Sequence, residues 1–171
     1  MTRLATLLLA LLAATAAGCD GGNDNDATQP PPTTTQSQTS EAALRQAVRT
    51  ALNENRRLSV YVLWNNRIPD WAERSTRGPA LESLRSAAEN RRNRGVRVRM
   101  LRSRREIRSI RLDPSYAEAT AIVQDRQRVQ PSRPNGRPIR RALVLNERAR
   151  YELRRVGQSD RFIVWRVVLL E

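Results

Sequence analysis

From Glu41 onward apolar residues recur at spacings of three and four: Leu44, Ala47, Val48, Ala51 and Leu52 fall on one side, Arg45, Arg49 and Thr50 on the other. That period predicts an amphipathic helix, with Ser40 placed to cap its first turn. Leu58 to Asn66 (LSVYVLWNN) is too apolar for a loop. It either ends this helix or forms a second short one, and Pro69 stops it. Gly78-Pro79 opens another helix, Pro79 suiting its first turn, with Leu81, Leu84, Ala87 and Ala88 on one face and Gly95 near its end. The period then falls to two. Val96, Val98 and Met100 alternate with Arg97 and Arg99, and Ile110 and Leu112 resume inward, which predicts a strand with a bend or bulge around Arg102 to Arg105. Asp113-Pro114-Ser115 is a turn. Tyr116 to Val129 is a second strand, and Pro131 to Gly136 a longer hairpin loop. Ile139 to Arg155 and Arg161 to Leu170 are two more strands, joined by Gly157 to Asp160. Four consecutive strands with short connections predict an antiparallel meander, one face covered by the preceding helices. The expected fold class of residues 41–171 is therefore α+β.

The first forty residues follow another logic. Behind Arg3, Leu4 to Ala14 is apolar except for Thr6, the pattern of a signal-peptide core. Counted to Gly18 it falls short of the roughly 20 residues a membrane-crossing helix needs. The run ends Ala16-Ala17-Gly18-Cys19, which is similar to a bacterial lipobox, with Ala16 where Leu is usual. Lipidation of Cys19 is the expectation, with residues 1–18 as its signal peptide. The alternative is an ordinary secretory cut after Ala16 that leaves Cys19 a free thiol. Residues 20–40 (DGGNDNDATQPPPTTTQSQTS) hold no large apolar side chain and are expected to form a disordered linker spanning roughly 25 Å. With 1 Cys in the chain there is no disulfide framework, so the 41–171 domain must be stabilised by its core.

Composition narrows the chemistry. All 31 basic residues are Arg, with no Lys and no His. This excludes Ser-His and Cys-His pairs, HExxH zinc sites, Schiff bases and the phosphate lysine of a P-loop. No cofactor and no metal is expected. Setting Arg3, Asp20, Asp24 and Asp26 aside from the 31 bases and 17 acids leaves the domain near +16, above the whole-chain +14. Arg91, Arg92, Arg94, Arg97, Arg99, Arg102, Arg104 and Arg105 form the densest run and are the candidate anionic-surface residues. A high-GC genome explains Arg in place of Lys, but not the excess of bases over acids. Nucleic acid is not the expected partner. Stacking needs exposed aromatics, and of the seven here Tyr61, Trp64, Tyr151, Phe162 and Trp165 lie in apolar segments expected to be core.

The stretches SIRLDPSYAEATAIVQDRQRV (109–129) and RARYELRRVGQSDRFIVWRV (148–167) resemble the C-terminal half of NTF2-like domains. They are particularly similar to the IMS domain of plastid-division and bacterial envelope proteins. Tyr151 and Leu153 match its Tyr-x-Leu strand, while Phe162 stands where Trp is commoner. The resemblance covers roughly residues 80–168. It implies that the N-terminal helices pack on a curved four-stranded sheet, a cone, and that a homodimer can form through the sheet's outer face. The segment Phe162 to Leu170 is either such an interface or a buried central strand. The motifs are structural and bring no active site with them.

Enzymes of this superfamily use Asp, His and Tyr inside the cone, and here only carboxylates and Tyr remain. Glu147 and Tyr151 share one face of the third strand and form the candidate cone site. Against proton-transfer chemistry there stands the prospect that each strand carboxylate pairs with a neighbouring Arg. The expected function is thus a membrane-anchored envelope lipoprotein with a non-catalytic domain. Its expected partner is an acidic protein or an anionic polymer or lipid met by the Arg-rich face. The second expectation is a small apolar ligand inside the cone, with or without proton-transfer chemistry by Glu147 and Tyr151. An open cavity with Glu147 and Tyr151 facing inward favours the second, and a plugged one the first.

Overall fold

The computed structural model describes residues 40–171. The expected signal peptide, Cys19 and nearly all of the linker lie outside the described residues. The element order is α1 (Glu41–Asn65), a single 3-10 turn (Ala72–Arg74), α2 (Gly78–Asn93), β1 (Arg97–Leu112), β2 (Glu118–Ser132), β3 (Leu143–Arg155) and β4 (Phe162–Leu170). The strands form one antiparallel sheet in the order β1-β2-β3-β4, the expected meander. No described helix is long and apolar enough to cross a membrane.

α1 starts where Ser40 Oγ accepts the Ala43 amide at 3.2 Å. Its buried residues Leu44, Val48, Ala51, Leu52, Asn55, Leu58 and Val62 keep the helical period throughout, so LSVYVLWN forms its last turns and not a second helix. The stop precedes Pro69. Asn66 adopts a left-handed backbone, φ 51°, and its side-chain Nδ2 donates to the Val96 carbonyl at 2.7 Å, which fixes the start of β1.

The bend expected around Arg102 to Arg105 resolves into two bulges, one between Met100 and Arg102 and one between Ile107 and Ser109. Between them Arg102 to Ile107 pair regularly with Arg128 to Val123. An inserted residue shifts the alternation by one and returns the next apolar residue to the inner face. The dense charge of Arg102 to Arg105 is ordinary alternation and breaks nothing. β2 extends to Ser132, and β3 begins only at Leu143, because residues 138–142 stay outside the strand apart from a bridge of Pro138 to Ser132.

The core forms where α1 crosses the sheet. Leu44, Val48, Ala51 and Leu52 pack on Ala119, Ala121, Val123, Ala149, Tyr151, Leu153, Phe162 and Val164. Alanines at three of these sheet positions let the helix approach closely. Leu58, Val62, Ala72, Leu81 and Ala88 form a second cluster where the helices meet. β4 is an edge strand, not a central one. Its first half is nevertheless buried, because residues 75–77 run parallel to it: Thr76 bridges Val164, whose amide donates to Ser75 O at 2.9 Å. The Asn55 amide donates to Thr76 Oγ1 at 2.9 Å, tying that segment to α1. The entire core lies within the unit Ser37–Glu171, so that stretch, produced alone, carries every core contact described.

Gly78 tests this packing. Its φ is +55°, and a Cβ there would sit 2.8 Å from the Trp165 ring. Gly78→Ala is expected to cost about 2 to 4 kcal/mol in urea unfolding of Ser37–Glu171. Gly95→Ala, at φ +61° but with nothing within 4 Å, costs only about 1 kcal/mol. Equal costs at the two positions would remove Trp165 from the argument.

Candidate functional site

The inner face of the sheet is apolar towards both ends, with a polar band across its middle. In β2 the inward positions Ala119, Ala121 and Val123 lead to Asp125, which is buried. Register places Arg105 of β1 on one side of Asp125 and Glu147 of β3 on the other. Arg105 donates to Asp125 from Nε at 3.0 Å to each oxygen, and from Nη2 to Oδ2 at 2.6 Å. It also donates to Leu52 O of α1 at 2.9 Å and to Tyr151 Oη at 3.2 Å. Its guanidinium carbon lies 5.5 Å from the centroid of the Tyr151 ring. Both charged side chains are only 7% exposed. Burial alone would lower the Arg105 pKa, but hydrogen bonds to Asp125 and the charge nearby outweigh it, so Arg105 lies above its ordinary value. Burial pushes Tyr151 up, and the Asp125 and Glu147 carboxylates push it further, against the pull of Arg105. Both groups move away from neutral pH, which suits a structural network and not proton transfer.

Beside this network lies a cavity of about 450 Å³ between the helices and the sheet. Val60 and Leu63 of α1 and Leu84 of α2 form one wall, with Met100, Val129 and Leu145 of the strands opposite. Glu147 and Tyr151 line it as the alternation of β3 predicts, together with Arg56, Arg91 and Arg140. Glu147 is half-buried, and among the described residues no hydrogen bond or ion pair to its carboxylate is formed. Val167 and Leu169, on the same inner face of β4, are 38% and 68% exposed, which marks a stretch of sheet that the helices leave uncovered.

The Arg run divides. Arg105 is a correction: its side chain faces inward and is committed to Asp125, so it is withdrawn from any surface site. Arg91 also turns inward, donating to Asn66 Oδ1 at 3.1 Å and Val62 O at 3.3 Å across the end of α1, and its burial lowers its pKa. Arg97 rests against Trp64, 5.8 Å from the ring centroid. Arg92, Arg94, Arg99, Arg102 and Arg104 are exposed, the first two at the end of α2 and the others on β1. Of the aromatics expected inside, Tyr151 and Phe162 are buried while Tyr61, Trp64 and Trp165 are half-buried. The Arg105–Asp125 pair realises the expected pairing of strand carboxylates with neighbouring Arg; its burial was not predicted, although a carboxylate in phase with Ala119, Ala121 and Val123 is its signal.

Neither a family model nor a curated protein matches this chain. Solved structures do. Among them is the intermembrane space region of the chloroplast protein ARC6, with a TM-score of 0.60 over 73% of this chain and 95% of that one. At 11% identity the likeness is one of fold.

Asp125→Ala strands a buried guanidinium and is expected to cost about 3 to 5 kcal/mol, read by urea unfolding. The raised pKa of Tyr151 sets a second expectation. Below the ordinary value of 10.0 the network contributes fully, and its contribution is lost as pH rises towards the higher folded value. In an alkaline titration followed by phenolate absorbance, one of the 3 tyrosines ionises late and together with unfolding. Three ordinary titrations would contradict this.

Proposed function

We propose that this protein is an exported binding module of the cell envelope, anchored through Cys19, that holds a small apolar ligand between the helices and the inner face of an NTF2-like sheet. The observation that carries it is the cavity. Its 450 Å³ falls within the roughly 300 to 1,000 Å³ of small-molecule sites. Its walls are largely aliphatic, and Glu147 stands in them unpaired. Burying a ligand there removes apolar surface from water, and a hydroxyl or N–H on the ligand finds its acceptor in Glu147. The open cavity favours this reading over one in which side chains plug the interior. A non-catalytic role is supported by Arg105 and Asp125, which neutralise each other, and by Tyr151, whose pKa is displaced upward. The envelope setting is supported by the N-terminal pattern and by the fold shared with an intermembrane-space region.

The test is a fluorescence titration of Ser37–Glu171 with N-phenyl-1-naphthylamine, a neutral apolar probe with one N–H donor. Saturable binding is expected. Leu145→Trp, which fills the cavity, weakens it at least tenfold, about 1.4 kcal/mol, with little change in melting temperature. Glu147→Ala weakens it by a smaller factor. Unchanged binding in a folded Leu145→Trp variant would put the probe elsewhere and defeat the reading.

A further inference from the structure

The outer face of the sheet carries an unbalanced arginine ladder. Register sets Arg102 directly opposite Arg128 and Arg104 directly opposite Arg126, two like-charged cross-strand pairs in succession. Arg99 of β1 and Arg148 of β3 extend the same face, opposite Gln130 and Gln124 of β2. All six are exposed, and none makes an ion pair among the described residues. Like charges placed opposite each other destabilise a sheet. The other end of this face shows how the chain balances such charges: Arg108 meets Glu106 at 2.7 Å, Arg150 meets Glu152 at 3.3 Å, and Arg154 meets Glu118 at 3.4 Å. At the ladder the remaining partners across β2 and β3 are Asn146 and Val144, neither of them an acid. Glu106, the nearest acid along β1, is taken by Arg108.

We propose that this ladder is a docking surface for an anionic phospholipid bilayer. Strand spacing and rise place the six guanidinium groups over a backbone patch of roughly 10 by 20 Å. That is a two-dimensional array three strands wide. It suits separate phosphate head groups in a plane better than a single polymer thread. Each guanidinium meets a phosphate bidentately, its stem lies along the sheet, and lipid charge relieves the repulsion within the cross-strand pairs. A second copy of this chain brings the same charge and is repelled. The ladder and the cavity occupy opposite faces of the sheet, so docking leaves the cavity turned away from the membrane. The inference is independent of the proposed ligand.

The experiment is co-sedimentation of Ser37–Glu171, which lacks Cys19 and any acyl anchor, with phosphatidylcholine vesicles and with equimolar phosphatidylglycerol–phosphatidylcholine vesicles over a salt series. Binding to the mixed vesicles alone is expected, weakening as salt screens it. The variant R102Q/R104Q/R126Q/R128Q loses at least about tenfold in affinity. The charge-matched R92Q/R94Q/R133Q/R137Q, altered at exposed arginines elsewhere, loses less than about threefold. The ladder variant melts at or above the wild-type temperature, since repulsion has been removed, so its loss of binding does not come from unfolding. Equal losses in the two variants would reduce the ladder to diffuse net charge and overturn the proposal. Absence of binding at low salt, or release of the domain by soluble polyphosphate at matched phosphate concentration, overturns it as well.

Discussion

A buried guanidinium ties together the layers of this domain. Arg105 donates to a carboxylate on the next strand, to a phenol on the strand after that and to a main-chain carbonyl in the middle of α1. A buried ion pair is costly to form and costlier to leave half-made, so these partners must assemble together. The apolar core fixes which face of the sheet α1 covers. The Arg105 contact to Leu52 O, with those of Arg45 to Ile110 O and Arg56 to Ser103 O, fixes where along its own axis the helix sits. Apolar packing alone tolerates sliding, and a directional bond does not.

The two faces of the sheet follow from that anchoring. Once α1 lies over Ala119, Ala121 and Ala149, the inward residues further along β2 and β3 have no helix pressed against them. The cavity is therefore a consequence of helix placement and not of missing side chains. On the outer face, apart from Trp165 lying under the Arg154 guanidinium, the described side chains are mainly charged or polar, and charge decides the arrangement. The end nearer the β1–β2 turn is balanced by ion pairs, and the far end is purely basic.

Much of the fold was legible from periodicity, because a helix covering a sheet imposes one period on itself and another on the strands. Leu44 to Val62 carry the first and Ala119 to Val129 the second. Glu147 and Tyr151 were legible for the same reason. The division of the arginine run from Arg91 to Arg105 was not, because neighbours in sequence part company when a helix end, a turn and a bulged strand intervene. Nor were the like-charged pairs, since Arg102 and Arg128 become neighbours only through a register that two bulges set. Local pattern specifies which face a residue takes. Which residue stands across from it is a property of the whole sheet.

The contact of Thr76 with Val164 also has a bearing on how the chain reaches this state. The first helix and the segment after it close on the last strand, so the earliest part of the domain waits for its final residues. Such long sequence separations slow folding. A chain threaded N-terminus first through a narrow pore would stay loose until almost all of it had passed. Its completion would then be a single late event on the far side.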